Sequence, residues 1–332
     1  MTVRRLPLRA SLGMLAVFLA SCSTPAAPVN PPSETPALAT EAPTVTVTPA
    51  PPSFRIVAYA TDGIIEQLIP YDKLTHINYS FLTPKDDGTF NPIVNGWKLK
   101  NIVANGHMQN VKVLISVGGW GWDSQFETVA ADPSLRSAFV QNLKAFVEEY
   151  QLDGADIDWE YPDAGQSSQN FLALIRELRA AMPDKLLTSA VVAYGDDAGL
   201  GIPPESFALM DFVVVMAYAG KDHGTWEQFD KGIAYWNARG LPQEKLVIGL
   251  PFYSEPGGVS FAKLVDEDPA ASQMDSYPYL GVPENYNGIP TIQAKTKFAL
   301  EKAGGVAFWA LDHDAQGEFS LVNAIYQTVH TP

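Results

Sequence analysis

Short apolar runs rich in β-branched residues recur along the chain from Phe54 onward, and helical or loop-like stretches separate them. Each run has the length of a strand. Most runs are almost continuously apolar, which is typical of strands buried on both faces of a parallel sheet. The pattern predicts eight strands, over residues 54–61, 74–82, 111–119, 154–160, 186–194, 212–219, 245–253 and 305–312.

The stretches between these strands carry helix signals. Asp132 followed by Pro133 predicts an N-cap and a first-turn proline. Beyond them, apolar residues recur at spacings of four and three and form one helical stripe: Leu135, Phe139, Leu143, Val147 and Tyr150. A second helix is predicted to take Ser168 as its N-cap and to end at Pro183.

Alternating strands and helices indicate right-handed crossovers and a parallel sheet. Eight such units in roughly 280 residues fit a (β/α)8 barrel, for which about 250 residues is typical. The alternative is an open, doubly wound sheet, which would carry a glycine-rich phosphate loop near the first strand, and the sequence has none there. We therefore predict an α/β fold, a single (β/α)8 TIM barrel over residues 54–332.

The first 22 residues combine arginines, a short apolar run and small residues before a cysteine. This arrangement predicts a secretory signal peptide, because the apolar run is too short to span a membrane comfortably. Residues 19–22, Leu-Ala-Ser-Cys, resemble the bacterial lipoprotein box, in which Cys22 would be lipidated and become the first mature residue. We expect an exported lipoprotein anchored at the cell exterior, or a secreted protein if ordinary cleavage occurs instead.

Residues 23–53 are dominated by proline, threonine, alanine and serine, and this composition predicts a disordered tether. The formal charge of the whole chain is −15. So acidic a chain argues against nucleic acid and anionic lipid as ligands, because both require neutralising lysines and arginines.

Four carboxylates occur within residues 153–160, a segment that also holds Ile157 and Trp159. In a strand, alternate side chains share a face, so Asp156, Asp158 and Glu160 point one way while Ile157 and Trp159 point the other. The acidic face would then point into the barrel, with Glu160 at the carboxyl end of the strand, where barrel enzymes place their chemistry. Carboxylates held so close cannot all ionise, and a raised pKa keeps one protonated as a general acid.

The same segment matches D-G-x-D-x-D-W-E, the signature of family 18 glycoside hydrolases, the chitinase family, at every defined position. Residues 116–119 resemble the S-x-G-G element of that family, and residues 216–218 resemble its M-x-Y element. Trp309 stands where the family places a tryptophan beneath the reacting sugar. The resemblance extends over residues 54–326.

The resemblance implies an endo-acting, retaining hydrolase of β-1,4-linked N-acetylglucosamine polymers that works by substrate assistance. Glu160 would protonate the glycosidic oxygen, and the 2-acetamido group of the substrate would attack as the nucleophile and form an oxazolinium ion. Asp158 would stabilise that group, and Asp156 would share a proton or hydrogen bond with Asp158. Tyr218 would donate a hydrogen bond to the acetamido oxygen.

Sugars present apolar C–H faces, so aromatic rings near the strand ends are candidate platforms. The predicted substrate-binding residues are Trp309, Trp120, Tyr59, Phe81, Met216 and Gly119. Core packing is the alternative for each aromatic side chain. Four further tryptophans, Trp97, Trp122, Trp226 and Trp236, are not placed by the sequence.

Two features depart from the family pattern and bear on the substrate. Ala219 occupies the position where the family usually has an aspartate, and Asp222 is the nearest candidate to compensate. Residues 254–304 are too short for the α+β domain that many members insert between strands seven and eight, which predicts an open cleft suited to endo attack. An endo-β-N-acetylglucosaminidase of N-glycans or cell-wall glycans therefore remains an alternative, as does a non-catalytic carbohydrate-binding protein on the same scaffold.

No metal site or cofactor is expected, because the five histidines are scattered and no close ligand pair occurs. His313, between two aspartates, is interpreted as part of a solvated surface loop. The expected partner is a glycan containing N-acetylglucosamine, bound by a monomer that would touch a membrane only through its lipid anchor.

Overall fold

The structure, a computed structural model, describes residues 54–331, and the predicted signal peptide, Cys22 and the predicted tether lie outside these residues. Eight parallel strands close a barrel in the order β1-β10-β7-β6-β5-β4-β3-β2, and strands β8 and β9 form a separate antiparallel hairpin. The strands are β1 Arg55–Thr61, β2 His76–Leu82, β3 Lys112–Gly118, β4 Gly154–Asp158, β5 Leu186–Val192, β6 Phe212–Met216, β7 Leu246–Pro251, β8 Ser276–Tyr279, β9 Val282–Asn285 and β10 Gly305–Trp309. All eight predicted strands are present, and the predicted (β/α)8 barrel is confirmed.

Helices cover the outside of the barrel, and most of them connect one barrel strand to the next. They are α1 Gly96–Met108, α2 Asp123–Ala131, α3 Pro133–Glu149, α4 Gln166–Ala181, α5 Asp196–Gly199, α6 Trp226–Ala238, α7 Phe261–Glu267, α8 Ile289–Lys302 and α9 Leu321–His330. Each crossover returns the chain to the amino end of the next strand, so the carboxyl ends of all eight barrel strands meet at one face.

Strand β1 shows why the barrel strands are apolar on both faces. Val57 and Tyr59 point into the barrel and contact an interior cluster, whereas Ile56 and Ala58 pack in the layer between barrel and helices. All four side chains are at most 2% exposed. Burial of both faces is the physical reason that the sequence pattern is a continuous apolar run instead of an alternating one.

The beginning of α3 is confirmed and that of α4 is not. The Asp132 carboxylate accepts hydrogen bonds from the backbone N–H groups of Ser134 (2.7 Å) and Leu135 (3.0 Å), as an N-cap should. The prediction that Ser168 caps the second helix is wrong, because α4 begins at Gln166 and Ser168 is buried inside it. Gly165 precedes α4 with a φ of 92°, so the chain turns into the helix before it reaches Ser168.

The connection from β7 to β10 holds α7, the β8–β9 hairpin and α8, with no larger insertion in that fully described stretch. Glu284 ties the hairpin to the barrel: it is buried, and it accepts hydrogen bonds from Ser254 Oγ (2.6 Å) and the Gly257 N–H (2.8 Å). As predicted, this connection holds no inserted α+β domain, and one hairpin takes its place. Among residues 54–331, no helix is both long and apolar enough to cross a membrane.

Candidate active site

Strand β4 brings carboxylates into the barrel while burying apolar side chains outside it. Asp156 and Asp158 are 0% and 3% exposed on the interior face, and Ile157 and Trp159 pack in the layer between barrel and helices. Glu160 follows the strand by two residues, and it is partly exposed at the carboxyl-end face. The predicted alternation of faces is thus observed, and the two apolar residues are the reason that the acidic ones point inward.

Asp156 lies in a cage of hydroxyl groups contributed by three other strands. Its Oδ2 accepts hydrogen bonds from Tyr59 of β1 (3.0 Å) and Ser116 of β3 (2.8 Å), and its Oδ1 accepts one from Thr188 of β5 (2.5 Å). Burial raises the pKa of Asp156, and the three hydroxyl donors oppose that rise. A buried carboxyl with this many donors is well satisfied, so its position is fixed by the barrel itself.

Asp158 is buried nearby but lacks such a cage. Its Oδ1 has no hydrogen-bond partner among the described residues. Burial raises the pKa of Asp158 well above its ordinary value, and the charges of Glu160 and Asp156 raise it further. A buried oxygen without a hydrogen bond lowers the stability of the fold. A ligand that donates a hydrogen bond to Asp158 would supply the missing bond and would be bound more tightly for that reason.

Glu160 is the carboxyl group nearest to solvent in this set. Burial raises its pKa above the ordinary value, and the neighbouring Tyr161 hydroxyl works in the opposite direction. Because Asp158 lies nearby, a charge on Glu160 also raises the pKa of Asp158. A carboxyl with a raised pKa at the mouth of a barrel is suited to donate a proton and to take it back.

These groups face one cavity of about 270 Å³ at the carboxyl ends of the strands. Its lining comprises Tyr59, Phe81, Trp120, Asp158, Glu160, Tyr161, Met216, Tyr218, Ala219, Tyr253 and Trp309. Eight residues predicted from the sequence are therefore brought together here. Asp156 lies behind this wall, hydrogen-bonded to Tyr59, and Gly119 lies against the Phe81 ring.

Aromatic rings form one side of the cavity. The indole of Trp309 stacks on Phe81, with ring centroids 5.4 Å apart and planes 17° from parallel, and Tyr59 lies 6.0 Å from the same indole. Gly119 makes this arrangement possible, because a Cβ at this position would lie 2.7 Å from the Phe81 ring. Trp120 is 79% exposed at the rim. So large an exposed ring beside a cavity is a natural platform for the apolar face of a sugar.

Tyr218 enters the cavity from the end of β6. Its ring packs on Gly249, where a Cβ would lie 2.7 Å from the tyrosine Cε1 atom, and it meets the Tyr253 ring edge-on at 6.3 Å. Burial raises the pKa of Tyr218 well above its ordinary value, so its hydroxyl stays protonated and able to donate. Asp222 lies apart from this cavity: it accepts a hydrogen bond from Tyr194 (3.0 Å) and lines an adjoining cavity of about 330 Å³.

Three cavity residues, Tyr161, Ala219 and Tyr253, were not predicted as site residues, although Ala219 was noted as a departure from the family pattern. Tyr161 follows Glu160 directly, so its place in the acidic segment was the signal that could have found it. Tyr253 is the last residue of a predicted strand, but it belongs to none of the motifs recognised in the sequence. Of the unplaced tryptophans, Trp236 is core, because it is fully buried and donates to the Val192 carbonyl (2.9 Å).

A larger cleft, of about 570 Å³, lies between the β1–β2 connection, α7 and the start of α9. Its two aspartates next to His313 serve the fold. Asp312 accepts from the Thr61 hydroxyl (2.8 Å), and buried Asp314 accepts from the Leu321 N–H (2.7 Å) at the start of α9. The interpretation of His313 and its neighbours as solvated surface is therefore wrong. The partner of Asp312 lies 251 residues away along the chain, and Asp314 binds the start of the following helix.

The chain is similar to a known protein family over most of its length. The family model described as "Glycosyl hydrolases family 18" matches residues 55–314. A probable endochitinase of Caenorhabditis elegans is 31% identical over 204 residues, 51% of this chain and 33% of that protein. An endochitinase of Manduca sexta is 29% identical over 232 residues, 56% of this chain and 40% of that protein. The match thus spans less than half the length of either relative.

Solved structures align over nearly their whole length. A chitinase from Bacteroides thetaiotaomicron has a TM-score of 0.75 at 29% identity, covering 84% of this chain and 97% of that one. The ChiB chitinase from the chitin utilization locus of Flavobacterium johnsoniae has a TM-score of 0.74 at 26% identity, covering 83% of this chain and 94% of that one.

Proposed function

The chain belongs to glycosyl hydrolase family 18, and from that premise we propose that it is an endo-acting, retaining hydrolase of β-1,4-linked N-acetylglucosamine polymers such as chitin. One observation carries the proposal: Glu160, Asp158 and Tyr218 line a single cavity, with Trp309 on the same wall. Cleavage of a sugar that bears an acetamido group requires four things in one place. They are an acid, a carboxyl oxygen free to accept a hydrogen bond, a phenolic donor and an aromatic platform.

In the first step, Glu160 donates its proton to the glycosidic oxygen. The acetamido carbonyl oxygen of the substrate attacks the anomeric carbon as the bond to the leaving sugar breaks, and the leaving sugar departs as an alcohol. The product on the enzyme side is a cyclic oxazolinium ion, and no enzyme nucleophile is needed. The raised pKa of Glu160, caused by burial, supports its role because the acid must still hold a proton near neutral pH.

Asp158 and Tyr218 would hold the acetamido group in the orientation for attack. The unpaired Oδ1 of Asp158 is available to accept the acetamido N–H, and a negative charge there would stabilise the positive charge that develops on the ring. The protonated Tyr218 hydroxyl would donate to the acetamido oxygen. Asp156, which three hydroxyl groups hold in place, would accept the proton that Asp158 must lose to become charged.

In the second step, water attacks the anomeric carbon while the Glu160 carboxylate takes a proton from that water. The ring of the oxazolinium opens and regenerates the acetamido group, and Glu160 is again protonated. Two inversions at the same carbon retain the β configuration. The exposed ring of Trp120 at the rim and the short β7–β10 connection support endo attack, because a long glycan can then cross the site without a closed end.

We expect the purified chain to cleave chitin oligomers and to leave matching glucosamine oligomers intact. The physical reason is that substrates without the acetamido group lack the nucleophile. Products would be read by mass and by NMR of the anomeric proton, which should show the β-anomer first. High-mannose glycopeptides form a second arm of the same experiment. Cleavage of the glucosamine oligomers, an α-anomer as first product, or cleavage of the glycopeptides alone would contradict the proposal.

The activity should extend to higher pH than an ordinary glutamate would allow. Glu160 must be protonated in the first step, so kcat/KM falls as the pH rises through the pKa of this group, which burial raises. The alkaline limb should therefore lie above about pH 4.3, where an unperturbed glutamate titrates. A pH–rate profile on a chitin oligomer checks this expectation, and a limb at or below that pH would contradict it.

We further propose that the chain is exported and that Cys22 is lipidated, which would anchor it at the cell exterior. The proposal is supported by the basic and apolar leader and by the Leu-Ala-Ser-Cys sequence of residues 19–22. Metabolic labelling with palmitate in a bacterial host should label the wild type, and Cys22→Ser should remove the label. Absence of label from the exported wild type would contradict lipidation.

A further inference from the structure

The turn that follows β6 holds the backbone of a cavity residue in an uncommon conformation. Ala219 has a φ of 67° and Gly220 a φ of 77°, so two successive residues are left-handed. Such values are unusual for a residue with a Cβ, and they persist only where the surroundings impose them. This turn is also the segment that directs the Tyr218 ring into the cavity.

Side chains from outside the turn bind its peptide groups. The Gln228 amide of α6 donates to the carbonyl oxygens of Tyr218 (3.2 Å) and Ala219 (3.0 Å). The Gly220 N–H donates to the Glu255 carboxylate (3.2 Å). Side-chain hydrogen bonds thus fix the backbone of this turn, whereas backbone hydrogen bonds to adjacent strands fix a strand. Removal of one of these side chains should let the backbone of the turn move.

The N–H group of Ala219, in the same turn, donates a hydrogen bond to Nδ1 of His223 at 3.0 Å. Because Nδ1 accepts that bond, the ring proton is on Nε2, and Nε2 donates to the Tyr253 carbonyl oxygen at 3.0 Å. The His223 side chain is 3% exposed, and its ring centroid lies 4.7 Å from that of Tyr253. A single neutral histidine therefore connects the turn after β6 to Tyr253, two residues beyond the end of β7, and each of these segments carries a tyrosine of the cavity.

We propose that His223 is a positioning residue: in its neutral Nε2–H form it fixes the turn at Ala219 and the backbone at Tyr253, and thereby the orientation of Tyr218. The inference rests on the proposed function and deepens it. A charged imidazole would lose the acceptor that holds Ala219, so the neutral form is required.

The surroundings of His223 fit that requirement. Burial lowers the pKa of the imidazole, and the Lys295 ammonium adds to this effect, whereas the Tyr253 carbonyl and Glu255 oppose it. The Glu255 carboxylate lies 3.9 Å from Nδ1. With the lowering effects in excess, the ring is neutral at neutral pH, as its two hydrogen bonds already demand.

The test is a mutant cycle between His223 and Tyr218 on a chitin oligomer. His223→Ala should lower kcat roughly 10- to 100-fold, as expected for a misplaced reacting group, with a smaller effect on KM. In a Tyr218→Phe background the same substitution should have little further effect, because the hydroxyl that it positions is already gone. His223→Asn should recover part of kcat, since its Oδ1 can accept the Ala219 N–H. His330→Ala, at an exposed histidine, is the control.

Additive effects in the cycle, or an unchanged kcat in His223→Ala, would overturn the inference. NMR decides independently of activity, so failure of the proposed function is distinguishable from failure of this inference. Imidazole ¹⁵N signals should show His223 as the Nε2–H form at neutral pH. The ¹³C signals of Tyr218, assigned by their loss in Tyr218→Phe, should shift in His223→Asn and, if it folds, in His223→Ala. An Nδ1–H or charged ring, or unmoved Tyr218 signals, would refute the positioning role.

Discussion

Glu160→Gln should lower kcat on chitin oligomers by roughly 10²–10⁴-fold, the contribution of a positioned general acid. Glutamine has the size and shape of the glutamate, but it has no acidic proton to give to the glycosidic oxygen. It also cannot take a proton from water in the second step. Both steps of the proposed reaction should therefore slow. Initial rates from reducing-end release, with KM measured separately, check this expectation.

The substitution should leave the fold intact, because Glu160 lies beyond the end of β4 and is partly exposed. Circular dichroism and a thermal melt of the variant should match those of the wild type. Glu227→Gln is the matched control: this glutamate is exposed on α6, where it pairs with Lys231, and its loss should leave turnover unchanged. A Glu160→Gln variant with normal turnover would reject Glu160 as the acid, and with it the proposed mechanism.

Asp158→Asn should lower kcat by about 10²–10³-fold, the usual effect of removing one group that stabilises transition-state charge. The amide can still form a hydrogen bond, but it carries no negative charge to balance the developing oxazolinium ion. Rates on a chitin oligomer check the size of the effect. A decrease below fivefold would contradict the role assigned to Asp158.

The same substitution, Asp158→Asn, should lower kcat but should not lower the stability of the fold. Burial and the neighbouring charges raise the folded-state pKa of Asp158, so between the unfolded and folded pKa values the folded state binds the additional proton. The free energy of unfolding therefore falls as the pH rises through that window, and Asp158→Asn should remove this loss. At neutral pH the variant should be at least as stable as the wild type in denaturant melts.

Asp156→Asn provides the contrast for this stability measurement. Asp156 accepts hydrogen bonds from three hydroxyl groups, and an amide in its place would turn two N–H hydrogens toward some of those donors. That variant should be clearly less stable, because buried donors would be left without acceptors. Equal stability changes in the two variants would mean that the cage around Asp156 has no special importance.

The acidic strand shows how far the sequence could be interpreted. A run with carboxylates at alternate positions and bulky apolar residues between them admits one orientation in a closed barrel, because Trp159 and Ile157 must pack against the helices. From this pattern, the inward direction of Asp156 and Asp158 and the place of Glu160 at the strand end follow directly. The eight apolar runs likewise predicted the barrel, because a strand that is buried on both faces is apolar along nearly its whole length.

The sequence was less informative wherever a residue's partner lies far along the chain. Thr188 contacts Asp156 from β5, His223 binds Tyr253 across 30 residues, and Asp312 binds Thr61 across 251 residues. No local pattern encodes such pairs, which depend on the closure of the barrel. The segment around His313 was misinterpreted as solvated because the bond between Thr61 and Asp312 is one of these long-range pairs. The prediction that the helix begins at Ser168 was wrong. The positive φ of Gly165 turns the chain into the helix before Ser168 is reached.

The sequence by itself determined the barrel, the inward acidic face and the family of the chain, since each is written in short-range spacing of apolar and charged residues. The tertiary structure decided which carboxyl is satisfied and which is left unpaired, which tyrosines complete the cavity, and how a histidine fixes the turn beside Tyr218. Those properties depend on distances between strands that only the closed barrel sets. Hydrogen bonds of about 3 Å cannot be inferred from sequence separation.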